Sequence, residues 1–200
     1  AYADAWLAAS RLEAQAGQRE LLEGWRDVAR KRVEAGADAP FREGPVEADL
    51  LRARGDLDRA QALLRTSLDL FAGFITGWDV ARTLVYLGEV LAAAGDPPGA
   101  GQAFHDALHE AVQARATPLI LDALLGLAGL RAQDRAESAV ELASCIAAHA
   151  AGTQEARARA ARLLDRAAAR LTPRQLEQAR ARAAAVPFEQ VVDRALASAP

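Results

Sequence analysis

The side chains with the clearest capacity for chemistry are His105 and His109, which stand four residues apart. On a helix this spacing turns both imidazoles to one face, within reach of a single metal ion. The residues between them lack the glutamate of the zinc-protease signature, and His149 falls on a different predicted helix. We therefore interpret the pair as half-exposed side chains on the outer helix of a repeat, with a metal-dependent enzyme as a remote alternative.

A second candidate is the segment Leu171-Thr172-Pro173-Arg174, which resembles the start of a LuxR-type helix-turn-helix. The residues that remain are too few for such a domain, and no recognition helix follows. A threonine before a proline is also an ordinary helix start, in which the hydroxyl caps the helix and proline takes its first position. We expect that simpler role for Thr172.

Arginines are concentrated between Gly152 and Pro187, where eight of them outnumber three acidic residues. Sites for single-stranded nucleic acid interleave such charges with aromatic side chains, and this stretch contains none. The pattern is typical of a solvated helix face. We expect no direct nucleic-acid contact by this segment.

Enzyme signatures are missing from the sequence. It contains no Gly-x-x-x-x-Gly-Lys phosphate loop, no Gly-x-Ser-x-Gly elbow and no Gly-x-Gly-x-x-Gly fingerprint. Cys145 lies in an apolar run with no histidine beside it in sequence, which indicates a buried, inert thiol. The sequence predicts no enzyme, no cofactor and no metal.

The composition indicates a helical chain with a real core. Of 200 residues, 52% are hydrophobic and 26% charged, with abundant alanine and arginine, which favour helices. A net charge of −3 argues against a chain dedicated to nucleic acid or to an anionic membrane. No apolar run approaches the roughly 20 residues that span a bilayer. Because a single cysteine fits a reducing compartment, we predict a cytoplasmic location.

A repeat of forty residues organises the middle of the chain. The turn Gly55-Asp56 recurs at Gly95-Asp96, and 95 − 55 = 40. The apolar landmarks keep that offset, namely Ala60, Leu64 and Leu68 in one unit and Ala100, Phe104 and Leu108 in the other. A fixed period of this size is typical of stacked helix pairs, which cover one another's apolar faces.

Between the turns, apolar residues recur at three- and four-residue spacing, as amphipathic helices require. Pro45 either starts a short helix or kinks a longer one. We predict helices over 2–16, 19–35, 41–53, 57–73, 78–94, 98–115, 118–132, 136–149, 154–171, 173–185 and 187–198.

The helix pair from Ala81 to Ala116 resembles the tetratricopeptide repeat (TPR). Its motif positions are filled by Leu87, Gly88, Leu91, Gly95, Ala100, Phe104 and Ala107. Val112 stands where the motif usually ends in proline, and the period is longer than the usual 34 residues or so. Both departures are similar to the elongated repeats of bacterial regulators.

The C-terminal part carries a second resemblance, over 160–164, 171–173 and 188–192. These runs resemble the tail that closes the TPR arrays of large bacterial signal-transducing ATPases and LuxR- or AfsR-like transcriptional regulators. In that family the array follows a nucleotide-binding module and senses a small molecule or a partner protein.

These resemblances imply an all-α fold, a right-handed superhelical stack of antiparallel helix pairs (a TPR-like α–α solenoid) with a C-terminal helical cap. Residues 1–150 would form the array, clearest over 41–150, and residues 151–200 the capping tail. The implied function is a non-catalytic sensor or protein-interaction domain. The alternative is a passive protein–protein scaffold with no small-molecule input.

In TPR arrays the first helix of each pair lines a concave groove. The partners implied are a protein or peptide, or a small polar effector, together with neighbouring domains of a longer chain. Carrying the groove positions over to this sequence gives the candidate ligand-binding residues Arg42, Asp49, Arg52, Arg82, Tyr86, Glu89, Asp122 and Gln133.

Overall fold

The computed structural model describes residues 43–71 and 77–198. Within these ranges the chain forms helices joined by turns, with no strand, which confirms the all-α prediction. The helices are α1 (Glu43–Arg54), α2 (Leu57–Phe71), α3 (Gly77–Ala93), α4 (Pro97–Gln113), α5 (Thr117–Arg131), α6 (Ala136–Ala148), α7 (Gln154–Ala168), α8 (Pro173–Ala185) and α9 (Phe188–Ala197).

The helix bounds follow the predicted ones to within a few residues. Pro45 lies in the first turn of α1, so it starts a helix and kinks none. Gly55 and Gly95 both have a φ of 80°, the left-handed conformation that ends a helix most easily at glycine. The helices predicted over 2–16 and 19–35 lie outside the described residues.

The chain divides into two compact units, residues 1–74 and 75–200. The described part of the first unit is the pair α1 and α2, which pack against each other. Leu50 and Leu64 are fully buried in this pair, and Ala48 and Ala60 have no exposed surface. The division predicted at residue 150, between array and tail, stays a prediction.

In the second unit, contacts run between successive helices from α3 to α7. In addition, α3 contacts α5, and α5 contacts α7. Contact with both the next helix and the one after it occurs in stacked helix pairs and in bundles. Either way, α3, α5 and α7 lie side by side.

The ring of Phe104 on α4 sits between two glycines of neighbouring helices. A Cβ atom added to Gly88 on α3 would lie 2.6 Å from this ring, and one added to Gly126 on α5 would lie closer still. Phe104 is 2% exposed and Leu87 is 7% exposed. Leu87 and Phe104 are therefore core residues, as their repeat positions predicted, whereas Leu68 is half-buried. The ring of Phe104 fits because Gly88 and Gly126 have no side chains.

The last two helices fold back over the earlier ones. On one side α8 packs against α6, and Ala139, Val140, Ala167 and Ala179 form a shared buried cluster. On the other, α9 contacts α4 and α5. No helix in the described ranges is both long and apolar enough to cross a membrane.

Candidate functional site

Charged side chains from three adjacent helices meet at one place in the second unit. Glu89 of α3 accepts a hydrogen bond from Nη2 of Arg159 on α7, and Asp122 of α5 lies close enough to both to feel their charges. Their helices are neighbours, and one guanidinium interacts electrostatically with carboxylates from two different elements. We call this set the Glu89–Asp122–Arg159 cluster.

Burial changes the pKa values of the charged groups in the cluster. It raises the pKa of Asp122 from 3.8 to about 6, because desolvation penalises the charged carboxylate. The positive charge of Arg159 opposes this rise, while the negative charges of Glu89 and Glu155 add to it. The carboxylate of Glu89 in turn raises the pKa of Arg159 against the lowering effect of burial. The carboxyl of Asp122 therefore holds its proton to a higher pH than an ordinary aspartate does.

Arg82 forms a second polar group near the start of α3. Its Nη2 lies 3.2 Å from Oδ1 of Asp79, and its guanidinium stands 4.7 Å above the ring of Trp78. Its Nε is buried and has no hydrogen-bond partner in the described part of the chain. Tyr86, one turn further along α3, is half-buried. A ligand would not reach this buried Nε, but the Arg82 side chain as a whole is 25% exposed, and its guanidinium has further N–H donors.

The structure brings only some of the predicted groove residues together. Glu89 and Asp122 share the cluster, whereas Gln133 lies in the turn after α5, where its carbonyl accepts a hydrogen bond from Arg170. Asp49 and Arg52 belong to the other unit and are bonded to each other, with Nε of Arg52 donating to Oδ1 of Asp49 at 3.0 Å.

Arg42 lies outside the described residues, and nothing in the structure bears on its predicted role.

The two histidines with metal-ligand spacing are engaged separately. Nε2 of His105 lies 2.9 Å from the carbonyl oxygen of Leu196 on α9. His109 is exposed and lies 3.3 Å from the side-chain amide of Gln113. Across residues 43–71 and 77–198, no three histidine, cysteine or acidic side chains gather as metal ligands would.

Sequence reasoning missed Arg159, the residue that joins the two predicted acids. It lies on α7, which the sequence assigns to the tail, and the groove positions carried over from the repeat end at residue 133. The sequence does contain a signal, namely the alternation of helices. Since α3 and α5 are the first helices of successive pairs, α7 is the first helix of the next pair. Counting α7 as a further groove helix would place Arg159 among the candidates.

The arrangement offers hydrogen-bonding and charged groups on one face of three helices. Two carboxylates, one paired guanidinium and the partly exposed guanidinium of Arg82 can bind polar or charged ligands without any covalent step. Comparisons with family models, with curated proteins and with solved structures found no significant match to the chain.

Proposed function

We propose that the chain is a non-catalytic, TPR-type sensor or protein-interaction domain of a cytoplasmic bacterial regulator. It binds a peptide, a partner protein or a small polar molecule on the face formed by α3, α5 and α7. The observation that carries this proposal is the Glu89–Asp122–Arg159 cluster, in which charged groups of all three helices meet half-buried. Perturbed, partly buried charges are concentrated at functional sites more often than on plain surfaces.

The cluster also supplies a mechanism for signalling. A ligand with its own charged groups would compete for Arg159 or for the two carboxylates, and it would favour one spacing of α3, α5 and α7 over another. Because a ligand shifts an equilibrium by its difference in affinity for the two states, a change in this spacing transmits binding to whatever adjoins the domain. The proposal includes the stacking of the helix pairs into a right-handed superhelix.

A charge reversal tests the proposed face. The full chain is screened by thermal shift against a panel of peptides and polar metabolites, and any compound that raises Tm is titrated by calorimetry. Arg82→Glu should weaken its binding by roughly tenfold or more, because a charge-assisted hydrogen bond contributes about 1.5–3 kcal/mol. Helical content, followed by circular dichroism, should stay unchanged.

Arg180→Glu is the matched control, since Arg180 is exposed on α8 and away from this face. It should bind as the parent chain does. Equal affinity of the Arg82→Glu variant would remove the α3–α5–α7 face from the proposal. If no compound raises Tm and only partner proteins bind, the passive scaffold is the better function.

A further inference from the structure

A cleft lies on a different part of the second unit, where the end of α5 meets α6, α8 and α9. Its volume is about 200 Å³. Part of the wall is apolar, formed by Leu142 of α6, Val186 after α8 and Val191 of α9. We call it the tail cleft. The smallest drug-sized sites have about 300 Å³, so the tail cleft fits only a small molecule.

Three arginines line the tail cleft, namely Arg131, Arg182 and Arg194. Nη2 of Arg182 donates to Glu137 and its Nε donates to Glu141, each at 2.6 Å. Arg131 and Arg194 have no carboxylate partner in the described ranges; Nη1 of Arg131 lies 3.5 Å from the hydroxyl of Ser138. Glu141 also lines the tail cleft, so three arginines against Glu137 and Glu141 leave it one net positive charge beside an apolar wall.

The surroundings of Arg131 make this excess charge costly. Its side chain is half-buried, and burial together with the neighbouring charge of Arg135 lowers its pKa. Taking a charge out of water is costly unless it is paired and hydrogen-bonded. A planar guanidinium presents two parallel N–H donors that match the two oxygens of a carboxylate. An anion with two such oxygens is therefore complementary to Arg131.

We propose that the tail cleft binds a small organic carboxylate. The carboxylate group takes hydrogen bonds from Arg131, with Arg194 at the rim adding a second positive charge. The apolar body of the ligand lies against Leu142, Val186 and Val191. Benzoate has the right size and both features. Inorganic phosphate offers only the charge, so the apolar wall favours the organic acid.

Ligand binding here has a consequence for the fold. The bound carboxylate would connect the end of α5 with α9 and hold the last helix in place. Since a ligand that binds only the docked state stabilises that state by mass action, amide hydrogen exchange over residues 188–197 should slow in its presence. This effect is separate from binding at the α3–α5–α7 face.

The test uses the full chain, labelled with ¹⁵N, titrated with sodium benzoate at constant ionic strength. We expect saturable shifts of the amide signals of Arg131, Ser138 and Ala195, and no such shifts with benzamide, the neutral analogue of the same shape. Equal responses to benzoate and benzamide would overturn the proposal, because the anion would then be irrelevant. Phosphate binding at least as tightly as benzoate would overturn the assignment to an organic acid.

Two variants locate the binding. Arg131→Gln should weaken benzoate binding about ten- to hundredfold, and the exposed Arg194→Gln should weaken it less. Arg194→Gln also keeps the test open if Arg131→Gln fails to fold. Arg180→Gln, an exposed arginine of α8 outside the tail cleft, should change nothing. If Arg131→Gln and Arg194→Gln both bind benzoate as the parent chain does, the tail cleft is not the site.

Discussion

At the scale of single residues, Asp122 is the carboxylate whose surroundings set it apart. Its pKa of about 6 lies above the 3.8 of an ordinary aspartate. Between these values the folded chain keeps a proton that the unfolded chain has lost. The free energy of unfolding therefore falls as pH rises through this window, and above it the loss stays constant. Burial of Asp122 thus costs stability at neutral pH and much less under acidic conditions, where the carboxyl is neutral in both states.

Asp122→Asn should remove this pH dependence. The amide never ionises, so the variant should gain stability relative to the parent chain as pH rises. Between about pH 4 and about pH 7, the free energy of unfolding of the variant should rise by about 1–3 kcal/mol relative to that of the parent chain. The upper figure is the full pKa shift of Asp122, converted at about 1.36 kcal/mol per pKa unit. Urea unfolding of both proteins at the two pH values measures it.

Asp165→Asn is the control, because Asp165 is exposed on α7 and lies outside the cluster. Its pH profile should parallel that of the parent chain. All other titrating groups are common to the proteins, so their effects cancel in the comparison. Parallel profiles for Asp122→Asn as well would mean that Asp122 is not desolvated in solution.

At the scale of helices, Gly126 of α5 packs tightly against the ring of Phe104 on α4. Gly126→Ala should destabilise the fold by about 1–2 kcal/mol, because overpacking outweighs the better helix propensity of alanine. Gly129→Ala on the same helix should instead stabilise it by up to about 1 kcal/mol, since nothing lies within 4 Å of its added Cβ. Denaturant unfolding gives both values.

A double-mutant cycle identifies the cause of the Gly126→Ala effect. With Phe104→Leu the ring is gone, so adding Gly126→Ala should cost less than it does in the parent chain. An unchanged cost would show that the ring is not what resists the added methyl group.

Gly126 and Gly129 also show what the sequence can and cannot predict. Turn glycines, prolines at helix starts and apolar spacing predicted the helices within a few residues, and Thr172 does cap α8 through a capping box, as its sequence indicated. However, Gly126 and Gly129 lie in the same apolar helix pattern. Only the packing of α4 beside α5 decides which of them faces the ring, and that packing is not a local property.

The candidate site was predictable to the same limited degree. The repeat register predicted groove positions for both Glu89 and Asp122. Their common partner, Arg159, is 70 residues from Glu89 along the chain, and no local pattern links them. The tail cleft was beyond prediction for the same reason, because it depends on where α8 and α9 fold back.

At the scale of the whole second unit, the last helix is held at both ends by earlier parts of the chain. At its start, the rings of Phe188 and His149 have centroids 4.2 Å apart. At its end, the carbonyl oxygen of Leu196 lies 2.9 Å from Nε2 of His105. Two of the three histidines, one of them from the pair with metal-ligand spacing, thus contribute to the docking of α9.

Cys145 reports on this docking, because it is the only cysteine of the chain and lies on α6 near Glu189 of α9. Burial raises the pKa of its thiol, and the negative charge of Glu189 raises it further. The thiol is half-buried, not fully buried as the sequence predicted, and Phe188→Ala should loosen α9 and expose it further. Its reaction with iodoacetamide should then become several-fold faster, even at a pH where all of it is thiolate.

Glu189→Gln separates the effect of charge from that of shielding, because it removes the negative charge and keeps the size of the side chain. It should move the pH profile of the iodoacetamide reaction to lower pH and leave the plateau rate nearly unchanged. Phe188→Ala should raise the plateau itself, since the plateau depends chiefly on access to the thiolate and only weakly on its pKa. If Phe188→Ala gives only a displaced profile, with no higher plateau, α9 does not shield Cys145 and its docking does not depend on Phe188.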